Sequence, residues 1–241
     1  MEQHRTPGGQ VGCLYENMAT QAHVLIAGRT GSGKSVVING IIHSQLCTHS
    51  CGTVQLILID PKRVELVQWA NTPHCLFYAS EPADRIRALQ LAVNTIEDRY
   101  TEMQANRQRK YAGGHIYVII DELADLLTTQ KRAVLPLLQR IGQIGRAANV
   151  HLIAATQCPT AQVLSTQLRC NFDAILGLRT RSAQDSRNII GQPGCESLPK
   201  YGRGYYVRPG EEGVVNLPMI PETELNKLEQ YWSDRRNYVV A

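Results

Sequence analysis

Apolar residues fall along this chain in two patterns. Short unbroken runs occupy His23–Ala27, Val54–Ile59, Cys75–Ala79, Ile116–Ile120, Val150–Thr156 and Ala174–Leu178, each bounded by turn formers or charges. Runs of that length without polar alternation predict strands buried on both faces. Between them apolar positions recur every three or four residues. The clearest case is Ile86, Leu89, Val93, Ile96, Tyr100 and Met103, which form one stripe on a long helix. That stripe predicts core packing rather than a coiled-coil seam. Ser80-Glu81-Pro82 predicts the helix start, with a capping serine and a proline in the first turn. The helix turns polar at Asn106–Lys110 and stops at Gly113-Gly114.

Further helices are predicted from Lys34 to Leu46, from Glu122 to Leu127, and from Pro221 to Arg235. Another, carrying Leu135, Leu138, Ile141 and Ile144, follows a polar bend at Thr128–Arg132. Gly204–Arg208 and Val214–Leu217 flank Pro209–Gly213, which predicts a hairpin of two strands and a turn. Strands alternating with helices predict an α/β domain, a mostly parallel sheet with helices on both faces and a C-terminal β-hairpin. Residues 1–22 read as an irregular lead-in, 23–220 as the domain, and 221–241 as a closing helix and tail.

Composition narrows the setting without choosing a function. At 241 residues with 43% hydrophobic content, the chain has ample material for a packed core. No apolar run approaches the length of a membrane span, and the polar N-terminus lacks a signal-peptide core. The seven cysteines are odd in number and scattered. Cys47 and Cys51 find no second Cys/His pair, which predicts free thiols and a cytoplasmic setting. A net charge of +4 is compatible with a polyanionic partner and does not require one.

The chemistry begins at Gly28-Arg29-Thr30-Gly31-Ser32-Gly33-Lys34-Ser35, which satisfies G-x-x-x-x-G-K-[ST] between a strand and a helix. Glycines let successive backbone N–H groups converge on phosphate oxygens, and the helix start adds its positive dipole end. Lys34 would reach the β and γ phosphates, Ser35 would hold Mg²⁺, and the cradle extends to Val36. ATP and Mg²⁺ are therefore the expected ligands. The strand Ile116–Ile120 ends in Asp121-Glu122. Ligands sit at the carboxyl ends of parallel strands, so both carboxylates should face the phosphate loop. Asp121 would position Mg²⁺, and Glu122 would orient and polarise the attacking water. Gln157, just past the strand Val150–Thr156, is a candidate contact to the γ-phosphate or that water; the alternative is a simple loop cap.

Several stretches together resemble the motor domain of the FtsK/SpoIIIE DNA translocases. They are Leu25–Ser35, Ile59-Asp60-Pro61-Lys62-Arg63-Val64-Glu65-Leu66, Pro73–Leu76, Ile119–Leu126, Gly145-Arg146-Ala147-Ala148-Asn149-Val150-His151-Leu152, Ala155-Thr156-Gln157 and Asp185–Ile190. They occur in the family's order across roughly residues 20 to 210. The resemblance implies a RecA-like P-loop NTPase fold, a homohexameric ring around double-stranded DNA, and ATP hydrolysis at subunit interfaces. It makes Arg146 the candidate arginine acting on a neighbour's γ-phosphate, with a helix-end arginine as the alternative and Arg87, Arg169 and Arg187 in reserve. Asp60 and Lys62 lie near the expected site without an assigned role. Basic residues at Lys131-Arg132 or Arg107–Lys110 are candidate contacts to DNA phosphates.

Departures from the family refine the expectation. The membrane-spanning segments, linker and additional domain of full-length members find no counterpart in residues 1–22, nor the winged helix in the tail. Cys158 stands where an arginine usually follows Ala-Thr-Gln. The expectation is a stand-alone motor of a mobile element, phage or plasmid, serving transfer, partitioning or replication. The alternatives are a protein-export ATPase of the type VII kind, a single-stranded DNA coupling ATPase of conjugation, and a nucleotide-binding module with little turnover.

Overall fold

The computed structural model describes residues 2–5, 11–14, 17, 20 and 22–236. Two short strands, β1 (Glu2–Arg5) and β2 (Val11–Leu14), pair antiparallel in a region whose sequence reads as irregular. Their runs are too short and too mixed in polarity to carry a strand signal. The domain follows as β3 (His23–Ala27), α1 (Lys34–Thr48), β4 (Val54–Ile59), β5 (Cys75–Ala79) and α2 (Pro82–Ala105). It continues with β6 (His115–Ile120), α3 (Leu123–Thr129), α4 (Lys131–Ile144), β7 (Val150–Thr156), α5 (Thr166–Arg169), β8 (Ala174–Gly177) and α6 (Ala183–Ile190). The strands β9 (Arg203–Arg208) and β10 (Glu211–Asn216) and the helix α7 (Glu222–Ser233) complete it.

Eight strands form one sheet in the order β10-β9-β8-β3-β7-β6-β4-β5. From β8 to β5 every pairing is parallel, and β9 and β10 extend the β8 edge antiparallel. The strand that feeds the phosphate loop, β3, lies between β7 and β8.

Because side chains alternate along a strand, each buried run feeds two cores. Leu25, Ile57, Ile59, Val118, Ile120, Leu152 and Ala154 face α2, α3 and α4, where Leu89, Ile96, Leu126 and Leu138 meet them. Val24, Ile26, Leu56, Leu58, Ile119 and Ile153 face the opposite layer, made by Ile38 and Ile42 of α1, Trp69, and Leu225 of α7. Each such Leu or Ile taken out of water contributes about 1.5–3 kcal/mol. The α2 stripe is core: Leu89, Val93, Ile96 and Met103 are buried, with Ile86 and Tyr100 packed at its rim.

Three local details differ from the sequence reading. The N-cap of α2 is Glu81, not Ser80, and no side chain caps it; Pro82 alone marks the start. Ser80 instead offers its carbonyl to Arg85 Nε at 2.8 Å. The bend expected over Thr128–Arg132 shrinks to Gln130, whose side-chain amide donates to Pro82 O at 2.6 Å and pins the joint between α3 and α4. The hairpin is tighter than expected, with Arg208 opposite Glu211 and only Pro209-Gly210 in the turn.

Candidate active site

The register of the sheet gathers the expected groups at one edge. Ala27 lies opposite Thr156 on β7 and Gly177 on β8, while Ile120 lies opposite both Ile59 and Ala154. The residues following these strand ends, Gly28, Asp60, Asp121, Glu122 and Gln157, therefore converge at the carboxyl edge, beside the reversal of strand order where such sheets bind ligands.

The phosphate loop is tied to both neighbouring strands. Gly28 N donates to Thr156 O at 3.2 Å, and Arg29 N donates to Arg179 O at 2.9 Å. Gly28 is required by close approach: a Cβ there would lie 2.7 Å from Ser32 Oγ and 2.8 Å from Leu178 Cβ. Gly33 has φ of 99°, a left-handed conformation from which α1 starts at Lys34. The first turn of α1 carries no acid, so its positive end is left for an external anion. Ser32 is buried and its hydroxyl has no hydrogen-bond partner.

Lys34 is only 5% exposed and folds back on the loop, its Nζ donating to Gly28 O at 2.7 Å and Arg29 O at 3.0 Å. Burial lowers its pKa to about 8, against the pull of Glu122 and Asp121, which favour the charged form. A phosphate group fits this set, since it would accept from Lys34 and from the unpartnered Ser32. Ser35 is half-buried, and Gly31 and Val36 are exposed at the rim.

Asp121 is 3% exposed, and its Oδ2 is buried without a partner. Burial, then the nearby Glu65 carboxylate, raises its pKa to about 6. A buried carboxylate oxygen with no donor fits a divalent cation or its water shell. Ser35 and Asp121 are the residues that would hold Mg²⁺, which when bound would offset charge on the β and γ phosphates.

Glu122 is fully engaged. Its Oε1 accepts from Thr156 Oγ1 at 3.0 Å, Gln157 N at 3.1 Å and Ala124 N at 3.3 Å, the last capping α3. Its Oε2 accepts from Gln157 N at 3.3 Å and lies 3.7 Å from Lys62 Nζ. Gln157 in turn accepts at Oε1 from Thr30 Oγ1 at 2.7 Å, so the phosphate loop, Gln157 and Glu122 form one linked set. Beside it lies a cavity of about 110 Å³, lined by Arg29, Gln157, Cys158, Thr160, Arg181 and Asp185 among others.

Arg146 is not part of this set. It is exposed, just before the amino end of β7. The seven residues of β7 separate it from Gln157, roughly 23 Å at strand rise. Arg107–Lys110, exposed after α2, lie at that same far edge, where Tyr111 N donates to Ala147 O at 2.8 Å. Lys131 and Arg132 are exposed at the carboxyl edge, next to the pinned Gln130. Sequence reasoning missed Thr156 as a Glu122 donor and left Lys62 without a role. Thr156 is the last residue of its strand and Lys62 lies three residues past the end of β4, and neither residue type is diagnostic without knowing which strand ends are neighbours.

Comparison with known proteins agrees with this geometry. The FtsK/SpoIIIE family model matches residues 7–116 and 113–161. The DNA translocase FtsK of Staphylococcus epidermidis ATCC 35984 is 36% identical over 241 residues, covering 90% of this chain and 30% of that protein. That of Helicobacter pylori J99 is 37% identical over 226 residues, covering 87% and 27%. The chain thus spans under a third of the length of these relatives. Among solved structures, the pCW3 conjugation coupling protein TcpA with ATPγS superposes with a TM-score of 0.81 at 19% identity, over 91% of this chain and 67% of that one. EssC ATPases 2 and 3 from Geobacillus thermodenitrificans give 0.85 at 13% identity, over 99% and 49%. At such identities these two structures show the fold alone.

Proposed function

The chain belongs to the FtsK/SpoIIIE family, and from that premise we propose that it is an ATP-driven motor that moves double-stranded DNA. The observation that carries the proposal is the linked set at the carboxyl edge: Thr30 of the phosphate loop, Gln157 and Glu122 joined by hydrogen bonds beside Lys34 and Asp121. A module that only binds nucleotide has no need of a carboxylate held at the γ-phosphate end.

In this reading Lys34 leaves the Gly28 and Arg29 carbonyls for the phosphates, and Thr30 and Gln157 are drawn to the incoming γ-phosphate. Glu122 accepts the proton of the attacking water. Loss of the γ-phosphate would be felt by Gln157 and passed through its backbone to Glu122, which caps α3. One seven-residue helix further on stand Lys131 and Arg132, the cations we assign to DNA phosphates. The basic residues at Arg107–Lys110 lie at the far edge and lack such a connection to the site.

Arg146 supports action as an assembly. Placed a strand length from its own site, it serves hydrolysis only if a neighbouring subunit presents it, as in a ring of six around DNA. Transfer, partitioning or replication of a mobile element, phage or plasmid is the setting we favour. Long duplex DNA is expected to stimulate ATP hydrolysis by this chain. Turnover indifferent to any nucleic acid would instead favour the protein-export reading, and stimulation by single strands alone would favour the conjugative one.

A further inference from the structure

We propose that Thr156 and Lys62 are positioning residues for Glu122, Thr156 through a hydrogen bond to one carboxylate oxygen and Lys62 through a longer ion pair with the other. The inference rests on the reading of Glu122 as the general base and names what orients it.

Thr156 is fully buried at the last position of β7, and its hydroxyl is used in both senses. It accepts from Cys158 N at 3.2 Å, which leaves its single proton aimed at Glu122 Oε1 at 3.0 Å. A hydroxyl so constrained has one orientation, and so has the carboxylate it holds. Lys62 approaches from the other side, off the turn that follows β4, with Nζ 3.7 Å from Oε2. Its side chain is 45% exposed against 7% for that of Glu122, so a partly solvated lysine stands at the mouth of a buried acid. The turn that carries it is itself fixed: Leu66 N donates to Asp60 Oδ2 at 3.0 Å, and Asp60 is fully buried. Residues from β4, β6 and β7 thus converge on one carboxylate.

Neither side chain is placed to touch substrate through these contacts. Their effect should appear in the chemical step and spare ATP binding, which rests on Lys34 and the phosphate loop. Losing the Thr156 hydrogen bond to a charged group should lower the rate about 10- to 100-fold, and losing the longer, partly exposed Lys62 ion pair should lower it by less, about threefold to tenfold.

The experiment compares the full chain with Thr156→Val, Thr156→Ser, Lys62→Met, Lys62→Arg and Glu122→Gln, measuring kcat, KM for Mg-ATP, nucleotide binding and Tm. Valine matches threonine in shape, so folding should survive. The expected result is a kcat lowered about tenfold or more in Thr156→Val and about threefold to tenfold in Lys62→Met, with KM unchanged within about twofold and Tm retained. Thr156→Ser and Lys62→Arg should recover most of the rate. A kcat within twofold of the parent in either deletion variant, with Glu122→Gln inactive, overturns the assignment for that residue. So does a loss that tracks nucleotide binding or Tm, or one that the conservative variant does not rescue. An active Glu122→Gln would instead overturn the general-base reading on which the inference rests.

Discussion

Asp121 carries an unrelieved cost in the nucleotide-free chain. Its carboxyl titrates near 6 where an ordinary aspartate titrates at 3.8, and burial is the main cause. Between those values the folded chain binds more protons than the unfolded one, so stability falls as pH rises from 3.8 through 6. Above pH 6 the penalty is fully present. Asp121→Asn removes the charge, and it is expected to raise the Tm of the nucleotide-free protein at pH 7.5. A gain of about 2–4 °C would correspond to each kcal/mol relieved in a domain of this size. The same variant should lose the extra stabilisation that Mg²⁺ adds to bound ATP. A lower Tm, or intact Mg²⁺ dependence, would show that Asp121 has a structural partner and not a cation to hold. Side chains of this kind were legible in sequence because spacing and context fix them: the octet fixes Gly28 to Ser35, and the acids ending β6 must sit at the same sheet edge. Thr156 and Lys62 were not, because their role depends on which strand end lies beside which, and only the order β7-β6-β4 reveals that.

At the scale of elements, the phosphate loop holds its shape through contacts with its neighbours as much as through its own sequence. Gly28 lies against Leu178 at the end of β8, and a methyl group there would meet side chain and backbone alike. Gly28→Ala is expected to destabilise the fold by about 1–3 kcal/mol, the usual cost of overpacking, and to weaken nucleotide binding with it. Thermal melts and titration with a fluorescent ATP analogue check both effects. A variant with parental Tm and affinity would mean that the loop and β8 are not coupled. Strands and long helices were legible because buried parallel strands leave unbroken apolar runs and α2 leaves a periodic stripe. The short α5, four residues capped by Ser165, has too few positions to show a period. The Ser80 cap was overridden because Glu81 takes the capping position and Pro82 sets the turn.

At the scale of the molecule, the distance between Arg146 and the site decides how the arginine can act. Within one chain β7 keeps them apart, and both ends of that strand are locked into the sheet by β3 and β6. No local rearrangement brings them together, so the arginine functions across a subunit boundary or not at all. Arg146→Ala and Glu122→Gln chains are each expected to hydrolyse ATP poorly alone. Mixed, they should regain a fraction of parental activity wherever an intact Glu122 site faces an intact Arg146. Absence of any recovery in mixed assemblies would remove Arg146 from the active site. Among the described residues no helix is long and apolar enough to cross a membrane.

The measurement that tests the central claim most directly is steady-state ATP hydrolysis by the full chain, with and without long duplex DNA, beside the Glu122→Gln variant. The account predicts marked stimulation by duplex and loss of turnover in the variant. Appreciable hydrolysis unchanged by duplex DNA would contradict it.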